Sequence, residues 1–257
     1  MRVDSKSADG LARRARVATI RLGRRVVDRL DPSRYHECLC CGELATAFLP
    51  HGIKVRENAR CPNCGAVERH RLQWLFFRES TNLFSSSAPL EVLHFAPEAG
   101  LQNRLKSLPN VRYHGADLKS PRAKEHFDIC AIPYPDDTFD VILCSHVLEH
   151  VPDDRKAMSE LFRVMKPGGW GLIEVPWDPS LEQTEEDPTV TTDEERIRLY
   201  GNKGHLRRYG RDFTDRLRSV GFEVTRHRPA SHMPPALVER YRLFPNGYVT
   251  IATKAAR

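Results

Sequence analysis

Long apolar runs are missing from this chain of 257 residues: no window of 18 or more apolar residues occurs, so no segment reads as a membrane span. The early positive charges are not followed by an uninterrupted apolar core, which argues against a secretory leader. A disulfide framework is missing too. The seven cysteines are few for a stapled scaffold, and four of them fall in two close pairs, which suits a reducing compartment and predicts a cytoplasmic protein. Charge of one sign is absent from the body. Residues 1–34 hold ten Lys/Arg against four Asp/Glu, the whole net surplus of +6, while residues 35–257 hold thirty of each. A globally basic nucleic-acid-binding surface is therefore not implied. No internal repeat is visible.

Between Phe127 and Trp177 the chain reads strand, helix, glycine turn, strand. Phe139 to Cys144 is a short apolar run bounded by the turn signal Pro135-Asp136-Asp137. Pro152-Asp153-Asp154 opens a helix whose inner side carries Leu161, Phe162, Val164 and Met165. Lys166-Pro167-Gly168-Gly169 stops that helix, and Trp170 to Val175 resumes as a strand. Two buried strands joined by a helix make a right-handed parallel unit. Leu90 to Phe95 and Val111 to Ala116 read as earlier strands, and Phe222 to His227 and Tyr248 to Ala252 as later ones. Residues 178–199 are acidic and Thr-rich, the pattern of an insertion over the sheet edge.

Four segments follow: a basic arm (1–34), a cysteine module (35–67), a connecting helix and Ser-rich linker (68–87), and an α/β domain (88–257). In the arm, Leu11, Ala15, Ala18, Leu22, Val26 and Leu30 recur at helical spacing among arginines. Packing on the body, an anionic membrane surface and RNA phosphates remain open for it. In the module, Cys38-x2-Cys41-x19-Cys61-x2-Cys64 has the spacing of a four-thiolate zinc ribbon, with Gly42 and Gly65 permitting the tight turns. Four thiolates fill a tetrahedron, so one structural zinc is expected there, supplying folding energy to a module too small to hold itself. Cys40 reads as a bystander.

The run PYPDDTFDVILCSHVLEHV followed by ELFRVMKPGGWGLIEVP closely resembles the later half of class I S-adenosylmethionine-dependent methyltransferases, the type-11-like group. The resemblance spans roughly residues 88–257. It implies a Rossmann-like, doubly wound, mostly parallel sheet with an antiparallel last strand, alongside the small N-terminal ribbon. It also implies that S-adenosylmethionine lies across the carboxyl ends of the first strands. The donor contacts then fall on Phe95, Ala96, Glu98, Gly100, Asp117, Leu118, Asp128, Ile129 and Ser145. The family's first glycine loop is eroded here, with Ala96 and Glu98 standing where two glycines are usual; Glu98 either meets the donor's ammonium or begins the next helix. Asp117 matches the acid that takes both ribose hydroxyls, and Asp128 the acceptor from the adenine amino group. Ten residues between them are too few for a full crossover, so the second helix or third strand must be reduced.

For acceptor chemistry the candidates are His146, His150, His205 and Arg207, with His205 and Arg207 the preferred pair because a cation beside a histidine suits an anionic substrate. No Asn/Asp-Pro-Pro-Tyr segment follows the fourth strand, which disfavours exocyclic amino-group methylation of bases, and Cys144 lacks the setting of a cytosine C5 nucleophile. The expected reaction is methyl transfer to oxygen or nitrogen of a small-molecule or saccharide-like acceptor. An RNA methyltransferase gripping phosphates with its ribbon and arm is the second reading, and a non-catalytic cofactor-binding or scaffold protein the third.

Overall fold

A computed structural model describes residues 35–257; the helical arm expected over 1–34 lies outside the described residues. Contacts divide the chain into two compact units. One gathers 35–80, 99–104 and 228–247 around the cysteines. The other holds 81–98, 105–227 and 248–257. The sequence boundary at residue 88 assigns 99–104 and 228–247 to the α/β domain, whereas by contact they group with the cysteine module. No helix among the described residues is long and apolar enough to cross a membrane.

The cysteine unit begins with two small antiparallel pairs, β1 (His36–Glu37) with β2 (Leu44–Ala45) and β3 (Leu49–His51) with β4 (Arg56–Arg60). Helix α1 (Glu68–Ser80) follows and buries Leu72, Trp74, Leu75, Phe76 and Phe77.

The second unit is built on six strands in the order β11-β12-β8-β7-β5-β6. β5 (Leu90–Phe95) pairs in parallel with β6 (Val111–Ala116) on one side and with β7 (Phe139–Ser145) on the other, and β7 pairs in parallel with β8 (Met165–Glu174). Helix α2 (Ala99–Leu105) follows β5. No helix or full strand forms between Asp117 and Thr138; what remains of a third strand is one parallel bridge, Ala116 to Glu125. The shortened crossover expected from the sequence is thus present.

Helix α3 (Asp154–Val164) starts where Asp153 Oδ1 accepts the Lys156 amide at 2.8 Å, and it buries Ala157, Met158, Leu161 and Val164 against the sheet. β8 begins at Met165, directly after the helix, and takes in the Lys166–Gly169 stretch expected as a stop before a strand at Trp170. Within it Gly168 holds φ +76°, and at Gly169 a Cβ would meet the Lys166 carbonyl at 2.8 Å. The insertion folds as β9 (Glu185–Glu186), α4 (Asp193–Tyr200) and β10 (Arg207–Arg208), with β9 and β10 antiparallel. Helix α5 (Phe213–Ser219) precedes β11 (Glu223–His227). β12 (Val249–Thr253) then runs antiparallel between β11 and β8. The fold is the expected Rossmann-like sheet with helices and an antiparallel end.

Between those last strands, α6 (Pro235–Arg240) returns to the cysteine unit. The chain after it is fastened by Arg71, a fully buried guanidinium. It donates to the carbonyls of Ala59, Ala66, Tyr241 and Arg242 at 2.8–3.0 Å and lies over the Phe48 ring. Those carbonyls would otherwise face an interior without donors.

Candidate functional site

Strand order reverses at β5, whose successor β6 lies on one side and β7 on the other. The crevice beyond the carboxyl ends of these strands is where such sheets bind ligands. A cleft of about 410 Å³ occupies that place, lined by Phe95, Ala96, Asp117, Leu118, Phe127, Asp128, Ile129, His146, Val147, His150, Val151 and Pro152. Register sets it: Phe95 pairs with Ala116 and with Cys144, so the residues just past each strand open into one hollow. Ala96 and His146, on opposite sides, both hold left-handed backbones, φ +47° and +57°. Such strain in non-glycine residues gathers at ligand sites.

Of the residues the sequence nominates for the donor, Phe95, Ala96, Asp117, Leu118, Asp128 and Ile129 line this cleft. Asp117 Oδ1 accepts the amides of Lys119 and Ser120 at 2.8 and 2.7 Å. These bonds fix the carboxylate and leave Oδ2 for a ligand. Asp128 does the same through Cys130 N at 2.8 Å. Glu98, Gly100 and Ser145 are not among the lining residues. Glu98 pairs instead with the buried His94 at 3.0 Å. Gly100 is small because a Cβ would come within 3.0 Å of Ala66 Cβ, so it serves packing. Ser145 is buried on β7 in register with Glu174.

The acceptor-side candidates divide as well. His146 and His150 line the cleft; His205 stands beside His150, ring centroids 4.9 Å apart. Arg207 does not join them. It is 4% exposed and donates to the carbonyls of Leu148, Val151 and Pro152, with its Nε on Glu186 at 2.8 Å. A guanidinium so engaged, with four of its five N–H groups on protein acceptors, positions the 148–152 turn and does not line the cleft. The turn is further fixed by Asp154, buried and shared by Tyr209 and Arg216 at 2.7 and 3.1 Å.

The residue that sequence reading passed over is Glu149. It sits in a single 3-10 turn, Leu148–His150, and is 1% exposed, yet neither carboxylate oxygen has a hydrogen-bond partner. Two imidazoles approach Oε1: His146 Nδ1 at 3.3 Å and His205 Nε2 at 4.0 Å. Burial pushes the His205 imidazole below its ordinary value and so favours the neutral ring, while the Glu149 charge opposes that shift. The only signal in the sequence was the spacing of His146, Glu149 and His150 around one turn. Cys144, by contrast, is wholly buried and its thiol is pushed up by desolvation, which suits a core residue and no nucleophile.

In the other unit, the sulfurs of Cys38, Cys41, Cys61 and Cys64 lie within 4.8 Å of one another, with Cys38–Cys64 at 3.6 Å and Cys41–Cys61 at 3.8 Å. A tetrahedron with metal–sulfur bonds of ~2.3 Å has an edge of ~3.8 Å, so the donor set and its spacing fit zinc. Gly42 and Gly65 hold φ +71° and +78° after each pair, as their turns require. Cys40 is buried outside the quartet.

Residues 100–173 match a family described as "Methyltransferase domain". With the relatives below, this match supports a class I S-adenosylmethionine-dependent methyltransferase domain in the sheet-bearing part of the chain. An uncharacterized methyltransferase, YcgJ of Bacillus subtilis, is 35% identical over 81 residues, covering 30% of this chain and 28% of that protein. A probable S-adenosylmethionine-dependent methyltransferase of Mycolicibacterium smegmatis is 29% identical over 115 residues, 44% of this chain and 38% of the other. The ubiquinone/menaquinone biosynthesis C-methyltransferase UbiE of Cronobacter sakazakii is 54% identical over 43 residues, 17% of each chain. The chain thus spans well under half the length of these curated relatives. Among solved structures, YcgJ aligns with 74% of this chain and all of its own at TM-score 0.47 and 18% identity.

Proposed function

We propose that the chain is an S-adenosylmethionine-dependent methyltransferase acting on oxygen or nitrogen of a small-molecule or saccharide-like acceptor. One observation carries the reading: a pre-fixed carboxylate, Asp117, at the tip of β6 in a cleft at the sheet's switch point. Oδ2 would accept the two ribose hydroxyls, Asp128 would accept from the adenine amino group, and Phe95, Phe127 and Ile129 would enclose the ring. S-adenosylmethionine would supply a methyl group already activated by its sulfonium. The protein's remaining task is to align the acceptor, exclude water and take a proton.

His146 is suited to the last of these. With Nδ1 toward Glu149, its Nε2 is the atom left for the acceptor hydrogen, and the buried carboxylate stabilises the imidazolium that forms. In the balanced step the acceptor lone pair forms the new bond to carbon. The carbon–sulfur pair stays on sulfur, and the acceptor's proton moves to His146. His146→Asn is expected to lower kcat by about 10² to 10⁴ while leaving donor affinity intact.

Calorimetry with S-adenosylmethionine tests the core of the reading. Micromolar binding by the full chain, weakened about a hundredfold in Asp117→Ala through loss of two charge-assisted hydrogen bonds, is expected. Absence of binding in the unaltered chain would favour the scaffold reading. A labelled-methyl screen over small hydroxyl and amine compounds, carbon acids and RNA then sorts the acceptor. Incorporation into RNA alone would replace this reading with the second one.

A further inference from the structure

We propose that Glu149, His150 and His205 form a binding site for a divalent transition-metal cation, opening into the cleft beside the acceptor position. Their ligand atoms lie within 4.8 Å of one another. Each imidazole is held by a backbone carbonyl: His150 Nδ1 by Gly204 O at 2.8 Å, and His205 Nδ1 by Tyr200 O at 3.0 Å. A carbonyl can only accept, so both rings carry their hydrogen on Nδ1, and both Nε2 atoms keep a lone pair. Metal-ligating histidines are oriented in this manner.

The third ligand is the buried carboxylate with no hydrogen bond to either oxygen. An anion removed from water needs a counter-charge, and a cation among these three residues supplies one. Two histidines and one carboxylate suit first-row divalent ions and leave coordination positions open, unlike the four closed thiolates elsewhere in the chain. At bonds of ~2.1 Å the ligand atoms would stand ~3.0–3.4 Å apart, so the rings must close by about an ångström. His150 is exposed and can supply that movement. Gly204 keeps the loop close, since a Cβ there would meet His150 Nδ1 at 3.0 Å. His150 also lines the cleft, so an open position would face an acceptor oxygen or nitrogen.

The site shares the cleft of the methyltransferase reading but does not depend on methyl transfer. Its test is a Co²⁺ titration of the full, zinc-loaded chain, followed by visible absorption. One saturable Co²⁺ per chain is expected, with weak nitrogen/oxygen-type bands and no thiolate-to-metal band. His150→Ala and His205→Ala should each weaken it by at least about tenfold. No saturable uptake, uptake with thiolate bands only, or an affinity unchanged in both variants would overturn the proposal. Glu149→Gln is a third variant; if that buried change prevents folding, the exposed His150 still decides the matter. Measuring S-adenosylmethionine binding alongside keeps the two readings apart: cobalt uptake without donor binding would sink only the methyltransferase assignment.

Discussion

The two units answer the same problem with different means. The sheet-bearing unit buries a large apolar cluster, from Leu93 and Phe139 to Phe213 and Ala252, and needs no staple. The cysteine unit has strands of two to five residues and one long helix, so area alone is not available to it. Directional bonds take over: four sulfurs around one point, and Arg71 on four carbonyls. The larger unit uses that second device too, where Arg207 ties down the turn that floors the cleft. A buried guanidinium marks, in both places, backbone that lacks regular pairing.

Metal removal should break the comparison most widely. Structural zinc contributes apparent binding energies of about 10 kcal/mol or more to modules of this kind. Chelation is therefore expected to release amide exchange protection at the cysteine turns and in β4. Cys61→Ser should reproduce the loss without a chelator. Retained protection at 56–60 after verified metal removal would mean that the thiolates are not what holds the unit.

The arginines sharpen it next. Arg71→Met leaves four interior carbonyls without donors and is expected to cost about 3–5 kcal/mol, read as faster exchange in α1. Arg207→Met should cost less, about 2 kcal/mol, because its carboxylate partner Glu186 is partly exposed and keeps Arg216 at 2.9 Å. The smaller change should nevertheless be felt in function. The freed 148–152 turn lines the cleft, so S-adenosylmethionine affinity should fall with it. Equal destabilisation by the two substitutions would show that burial, and not the number of orphaned carbonyls, sets the cost.

What could be read beforehand follows the same division. Strands β5 and β6 have the boundaries their apolar runs suggest, because periodicity is local. The reduced third strand was legible as well: ten residues cannot make a full crossover, whatever they are. The cysteine quartet was legible from spacing. Gly100 was not, since its neighbour Ala66 is far away in sequence and only packing reveals that a Cβ would clash. Arg207 misled because a cation next to a histidine looks the same whether it is solvated or buried. Glu149 was hidden for the opposite reason. A glutamate beside a histidine in a short turn reads as solvated surface, and only the fold shows its carboxylate sealed inside.

Glu160 offers the finest test, on the sheet-bearing side alone. Its carboxylate accepts from Arg163 Nε and Nη2 at 2.9 and 2.8 Å and from the Ile132 amide at 2.9 Å, fastening the loop that leads into β7. The Arg163 guanidinium holds its pKa below the usual carboxylate value, with burial opposing and the Ile132 amide assisting. A depressed folded-state pKa contributes stability that is present above the unfolded value, near 4.3, and is lost as pH falls through the folded value. Glu160→Gln keeps the shape and removes the charge, so it is expected to cost about 1 kcal/mol at pH 7, the difference between a charged and a neutral hydrogen bond. The gap between variant and parent should begin to narrow as pH falls below the unfolded value, near 4.3, and close once the pH has passed the lower folded value and the parent carboxylate is protonated. Denaturation midpoints of both proteins from pH 3 to 7 would check this, and a gap independent of pH would assign the cost to lost geometry instead of lost charge.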